Sequence, residues 1–385
     1  MEDGLAHRLI AASALLGVAL PGSALAAKAD RVAFGTTRDG QPVEAVTLTN
    51  AHGMRVRVLS WGAILQAVEV PDRAGRSADI VLGYRDMTGY LRAPNYFGAT
   101  VGRYANRIRG GRFAIDGTAH QLAINDKTNA LHGGVHGFDK RLWRIVDVAG
   151  GPTAHVTLAY TSPDGEEGYP GTLQVTATYS LDEHDALTLE YKATTDKPTI
   201  VNITNHSFWN LSREAAGRSV YDAVLTIPAE TTTPVDRTLI PTGAFRPVAG
   251  TPLDFRKPTR IGDRIRDASD DQIIFGQGYD ENYVIAHGMS AAPRLQARVE
   301  EPSTGRVLEL SSNQPGVQLY TGNFLDGTAI GKSGHAYRQG DGLALEPQVF
   351  PDTPNRPEFG SARLDPGQVY RNVIVYRFPT VGGRR

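Results

Sequence analysis

A chain of 385 residues that sets 40 Lys plus Arg against 41 Asp plus Glu has a formal charge of −1, so it has no basic field for nucleic acid and no acidic tail. The absence of cysteine removes disulfides, thiolate nucleophiles and Cys-ligated zinc or iron–sulfur sites together. What remains is a chain long enough to bury a large core, with a neutral, polar substrate as the simplest expectation.

At the N-terminus, Leu9 to Leu20 is an apolar stretch of signal-peptide length, followed by Pro21-Gly22-Ser23 and an Ala-x-Ala cleavage pattern at Ala24-Leu25-Ala26. Glu2 and Asp3 offset Arg8, so the leading segment carries little positive charge. The pattern predicts a signal peptide over residues 1–26, cleaved near Ala26, and an exported, periplasmic protein with no membrane segment after its removal. The alternative is a buried N-terminal helix in a cytoplasmic chain.

From about residue 31 onward, short alternating segments separated by turn residues predict an all-β protein. Strands are expected at Met54 to Val58, His155 to Leu158, Leu173 to Thr176 and Leu187 to Tyr191. Arg112 to Ile115 and His120 to Ile124 form a predicted hairpin with Asp116-Gly117 as its turn. No repeat period and no linker divides residues 31–385, which predicts a single domain built as a large antiparallel β-sandwich of two or more packed sheets.

Three motifs read as decoys. His132-Gly-Gly-Val-His136 has a metal-like spacing but sits in a glycine-rich loop without a third ligand in view. Adjacent Glu166 and Glu167, within Pro163 to Gly168, would point apart on a strand and suit a solvated loop better than the facing carboxylates of a glycoside hydrolase. Gly327 to Ser333 resembles a phosphate-binding loop but is one residue short between its glycines, and reads as a surface turn.

Two segments carry candidate chemistry. The apolar run at Ile200, Val201 and Ile203 stops at His206 among Asn, Thr and Ser residues that could orient its ring, although a histidine beside Phe208 and Trp209 also fits simple packing. Leu343-Ala-Leu-Glu346-Pro-Gln delivers a carboxylate to the end of an apolar strand, hence to a rim. Around them stand Asn95 to Ile108, Leu131 to Gly134, Gly278 to Tyr283 and Gly316 to Phe324, each with polar residues between aromatics and glycines.

Taken in order, these segments closely resemble the aldose 1-epimerases, also called galactose mutarotases, over about residues 31–380. The resemblance implies a galactose mutarotase-like supersandwich with a sugar cleft, no metal, no nucleotide cofactor and a small free aldose as substrate. It matches Glu346 to the family's general base and His206 to its general acid. Asn106, Arg107, His132, Asp280 and Gln318 match the residues that hold the sugar. A structural ion pair is the other reading of Arg107, and turn or sheet hydrogen bonds the other reading of Asp280 and Gln318. The chain departs from the common pattern at Pro347, at the Phe208-Trp209 pair and at Glu281, departures expected to fall on the cleft walls. The competing functions are a non-catalytic carbohydrate-binding protein, an epimerase of hexose 6-phosphates, which calls for an Arg or Lys cluster, and a glycoside hydrolase.

Overall fold

The computed structural model describes residues 26–92 and 95–382. The predicted signal peptide lies outside these residues up to Leu25. Among the described residues, no helix is long and apolar enough to cross a membrane.

Three antiparallel sheets dominate. The first is a five-stranded meander in chain order, Lys28–Thr36, Pro42–Thr49, Arg55–Leu59, Ile64–Pro71 and Ser77–Asp79. The second has nine strands; the four consecutive strands Arg144–Ala149, Thr153–Ser162, Leu173–Asp182 and Ala186–Thr195 form one half. Its other half includes Val307–Ser312 and Arg294–Glu300, and Tyr370–Arg377, near the C-terminus, closes the gap between the halves. The third has six strands, ordered Phe208–Trp209, Leu343–Gln348, Gly316–Tyr320, Asp280–Val284, Thr231–Thr232 and Arg246–Pro247. Helix is confined to short pieces such as Met87–Arg92 and Asp271–Gly276, the latter capped by Asp270, whose side chain accepts the Gln272 N–H.

Strand periodicity explains the packing. In Leu173–Asp182 the residues Leu173, Val175, Ala177, Tyr179 and Leu181 are buried while their neighbours are more exposed, the period-two pattern of a half-buried strand. Val56, Val58, Leu65 and Val68 of the first sheet share one apolar cluster with Tyr179, Leu189 and Tyr191 of the second and with Val317, Leu319, Leu343 and Leu345 of the third. The expected all-β sandwich is the observed fold.

Local corrections are few. The Asp116-Gly117 turn is present, with φ of 51° and 78° as a type I′ turn requires, but its second strand is Thr118–Gln121 and stops before Ile124. Gly327 to Ser333 is part of a hairpin, Asp326–Ile330 with Ala336–Arg338. Its Lys332 is not a surface group; Nζ turns inward to Asp79 Oδ2 at 2.5 Å and the Gln66 carbonyl at 2.6 Å.

Candidate active site

The six-stranded sheet builds the floor of the site by alternation. Gln318 stands opposite Glu346, and Asp280 opposite Tyr320, so these four side chains emerge on one face. The other face presents Val317, Leu319, Leu343 and Leu345 to the core. A sheet buried on both sides thus devotes one side to apolar packing and the other to a polar cleft.

His206 arrives from a neighbouring element. It ends the strand Thr204–His206, which pairs with Ala99–Val101, and two residues later the chain joins the six-stranded sheet through Phe208 opposite Ala344. This path sets His206 Nε2 3.5 Å from Glu346 Oε1, with the two residues only 5% and 2% exposed. The flanking polar residues do not orient the ring as expected. The Ser207 hydroxyl donates to Asn205 Oδ1 and Asn205 Nδ2 to the Gly98 carbonyl, while the imidazole is held by the rings of Phe208 at 5.0 Å, His132 at 5.1 Å and Tyr96 at 5.6 Å.

His132 comes from a glycine-dependent turn. Gly133 has φ of 90°, and a Cβ there would lie 1.8 Å from the Gly102 carbonyl oxygen, so no other residue fits. The chain pairs Leu131 with Arg107, and His132 and Asn106 bond reciprocally: the His132 N–H to the Asn106 carbonyl at 3.0 Å, the Asn106 N–H to His132 Nδ1 at 3.1 Å. Because Nδ1 accepts, the hydrogen of the neutral ring sits on Nε2.

The cleft has a volume of about 180 Å³, and every predicted site residue lines it: Asn106, Arg107, His132, His206, Asp280, Gln318 and Glu346. Arg107 also fulfils its structural alternative, with Nε on Asp126 Oδ2 at 2.7 Å, so one guanidinium edge is committed to the protein. Gln318 does likewise, its Nε2 donating to Asp280 Oδ1 at 2.6 Å.

The cleft walls are aromatic, and of their rings only Phe208 was expected there. Tyr96, Phe208, Tyr320 and Phe324 line the cleft, and the Phe324 N–H is anchored on the Tyr320 hydroxyl at 2.9 Å. Phe208 and Tyr320 each lie two residues beyond a predicted site residue, His206 and Gln318, so strand alternation already placed them on the same face.

The departures fall elsewhere than expected. Of them only Phe208 reaches the cleft. Trp209 packs into the core against Tyr376 at 4.9 Å, Pro347 pairs with Val317 on the core face, and Glu281 lies between Asp280 and Asn282 on that same far side. A strand turns alternate residues away from each other, so a neighbour in sequence is not a neighbour in the site.

Glu166 and Glu167 are likewise more than solvated loop. Glu166 accepts hydrogen bonds from Tyr160 at 2.6 Å and Ser162 at 2.5 Å and pairs with Arg141 at 2.7 Å. Glu167 accepts the backbone N–H groups of Val135 and His136 at 2.8 and 3.0 Å, fastening the loop that carries His132.

Electrostatically the site is a buried polar cluster. Burial, reinforced by Asp280, pushes the Glu346 carboxyl well above the ordinary carboxylate range, opposed by Arg107. Burial lowers His206 to about 4. Burial, then the proximity of His206 and Arg107, lowers His132 as well. The ligand atoms of His132, His206 and Glu346 lie within 4.8 Å of one another, a spacing that suggests a metal triad. The His132 tautomer argues against one: its Nδ1 pair is taken by an N–H and its Nε2 bears hydrogen, so neither nitrogen offers a free pair to a cation. His136, the other half of the metal-like spacing, is exposed.

Comparison with known proteins identifies the family. The profile of the aldose 1-epimerase family matches residues 44–377. The chain belongs to the aldose 1-epimerase family. Human galactose mutarotase is 44% identical over 352 residues, 91% of this chain and 99% of the relative. Aldose 1-epimerase of Escherichia coli K12 is 36% identical over 342 residues, covering 88% and 96% of the two chains. Among solved structures, galactose 1-epimerase from Lactobacillus acidophilus superposes with a TM-score of 0.80 at 30% identity, covering 93% of this chain and 99% of that one.

Proposed function

We propose that this family member is an aldose 1-epimerase that interconverts the α and β anomers of free aldoses such as glucose and galactose through the open-chain aldehyde. The observation that carries this reading is the His206–Glu346 pair, 3.5 Å apart at the base of a cleft walled by polar and aromatic side chains.

Two protons must move. Ionised Glu346 takes the proton of the C1 hydroxyl as imidazolium His206 gives one to the ring oxygen, and the bond between C1 and the ring oxygen breaks. The aldehyde rotates about its C1–C2 bond and recloses on its other face, with both groups reversing roles. Burial that favours the uncharged forms serves this cycle. The pair is charged while the sugar is cyclic and neutral once it is open, so a low-dielectric site favours the ring-opened side of a reaction that is otherwise uphill. His132, through Nε2–H, supports the ring oxygen; Asp280 accepts from sugar hydroxyls; Asn106 and the free edge of Arg107 donate to oxygens.

An epimerase of hexose 6-phosphates fits less well, because among the described residues the cleft lining includes no Lys and a single Arg, Arg107, already paired with Asp126. A carbohydrate-binding protein has no need of a buried acid and base at this spacing. We further propose that residues 31–385 act as one domain, that the leader directs the protein to the periplasm, and that no metal or nucleotide cofactor takes part.

Polarimetry with fresh α-D-glucose and α-D-galactose tests the reading. The protein should speed mutarotation of both free sugars and not of their 6-phosphates, and Glu346→Gln and His206→Asn should each lower the rate by about tenfold or more with the fold intact. Near-normal rates in both variants would overturn the assignment.

A further inference from the structure

Behind the cleft, a chain of side-chain amides crosses the six-stranded sheet. Gln348 is fully buried and absent from the cleft lining, yet it shares a sheet face with Glu346 and reaches the neighbouring strands. Its Nε2 donates to Gln318 Oε1 at 3.2 Å and to Asn282 Oδ1 at 3.1 Å. Asn282 Nδ2 passes a hydrogen bond to Thr233 Oγ1 at 3.2 Å, and Gln318 Nε2 donates to Asp280 Oδ1 at 2.6 Å. The residue opposite Gln348 is Gly316, where a Cβ would lie 2.6 Å from Asn282 Oδ1; glycine leaves the gap in which these amides meet.

The polarity of this chain is not free. A carboxylate only accepts, so Asp280 requires Gln318 to offer its nitrogen, which turns the Gln318 oxygen toward residue 348. Both hydrogens of Gln348 Nε2 are then used, and its own Oε1 is left buried without a partner. A reversed amide at 348 would face two oxygens with a third, and relieving that contact would turn the Gln318 oxygen onto Asp280.

We propose that Gln348 is a positioning residue which, through Gln318, holds Asp280 as a hydrogen-bond acceptor for the sugar. The inference rests on the anomer-interconversion reading above. Gln348 touches neither the acid nor the base, so its removal should weaken sugar binding more than the chemical step.

Initial rates across a range of galactose concentrations decide it. Gln348→Met keeps the volume and deletes both donors; KM should rise about fivefold or more while kcat stays within about twofold. Gln348→Glu, a second route should the first variant fold poorly, should raise KM at least as much, increasingly so at higher pH as the new carboxyl ionises and forces Gln318 to turn. In an Asp280→Asn background, where the partner at 280 can donate as well as accept, Gln348→Met should change KM by less than about twofold. An unchanged KM in both single variants, a loss confined to kcat, or additive effects with Asp280→Asn would overturn the proposal. A wild-type protein inactive on free sugars would instead overturn the reading beneath it.

Discussion

At the scale of single residues, the site depends on what burial does to ionisable groups. In the proposed cycle Glu346 and His206, 3.5 Å apart, hold one proton between them, and the apparent titrations belong to the pair. Adding a second proton on the acid side, or removing the last on the alkaline side, takes away one partner's function. The rate of mutarotation should therefore follow a bell in pH, and Glu346→Gln should abolish the bell along with the rate. Glu281 shows burial without a catalytic use. Its side chain is 1% exposed, neither carboxyl oxygen has a hydrogen-bond partner, and burial, with Asp280 and Asp270 nearby, raises its pKa well above the ordinary range. Its folded-state pKa lies above its unfolded value, so the associated stability is present at acid pH and is lost as pH rises through the folded value. Glu281→Gln keeps the shape and removes the titration. The melting temperature of the variant should exceed that of the wild type by an amount that grows as pH rises above the ordinary carboxylate range, the stability gap widening by at most about 1.4 kcal/mol per pH unit. A difference independent of pH would count against this account.

At the scale of elements, the cleft is a meeting of three supports: the polar face of one sheet, the short strand that ends in His206, and the loop that carries His132. The loop follows the short strand Ala130–Leu131, which among the described residues pairs only with Arg107–Ile108. Glu167 fastens its Val135 and His136 amides, and Asn125 bonds the carbonyls of Leu131 and Gly134 at 2.9 Å each. Carboxylate bonds to backbone N–H groups contribute about 1.5–3 kcal/mol each when sheltered, less at a half-buried site. Glu167→Ala should lower kcat/KM by about tenfold through displacement of His132, and Glu167→Gln should recover part of it. Unchanged kinetics in Glu167→Ala would show that the glycine turn and Asn125 suffice. These elements also mark how far a linear reading reaches. The type I′ hairpin and the long alternating strands were legible because turn chemistry and period-two burial are local properties. Glu167 was not, because its partners at Val135 and His136 lie about thirty residues away along the chain.

At the scale of the molecule, near-neutral net charge and a neutral sugar leave no long-range field to speed encounter. The rate on free aldoses should be nearly unchanged between about 20 and 500 mM salt, conditions that would slow a site built to gather phosphates. A steep fall with salt would reopen the hexose 6-phosphate reading. The sheets that frame the site share one apolar cluster, in which Leu345, the immediate neighbour of Glu346, faces away from the cleft.

Alternation, turn residues and ordered motifs, all written in the chain, were enough for the fold class, the family and the seven candidate residues that meet in one cleft. Tertiary structure alone decided which neighbours share the cleft. Trp209, Glu281 and Pro347 stand beside site residues in sequence and point into the core, while Tyr96 and Phe324 reach the cleft from separate segments. Tertiary structure also set the protonation logic, since the desolvation of Glu346 and His206, and the donors aligned behind Asp280, come from strands that are separate in the chain and meet only in the fold.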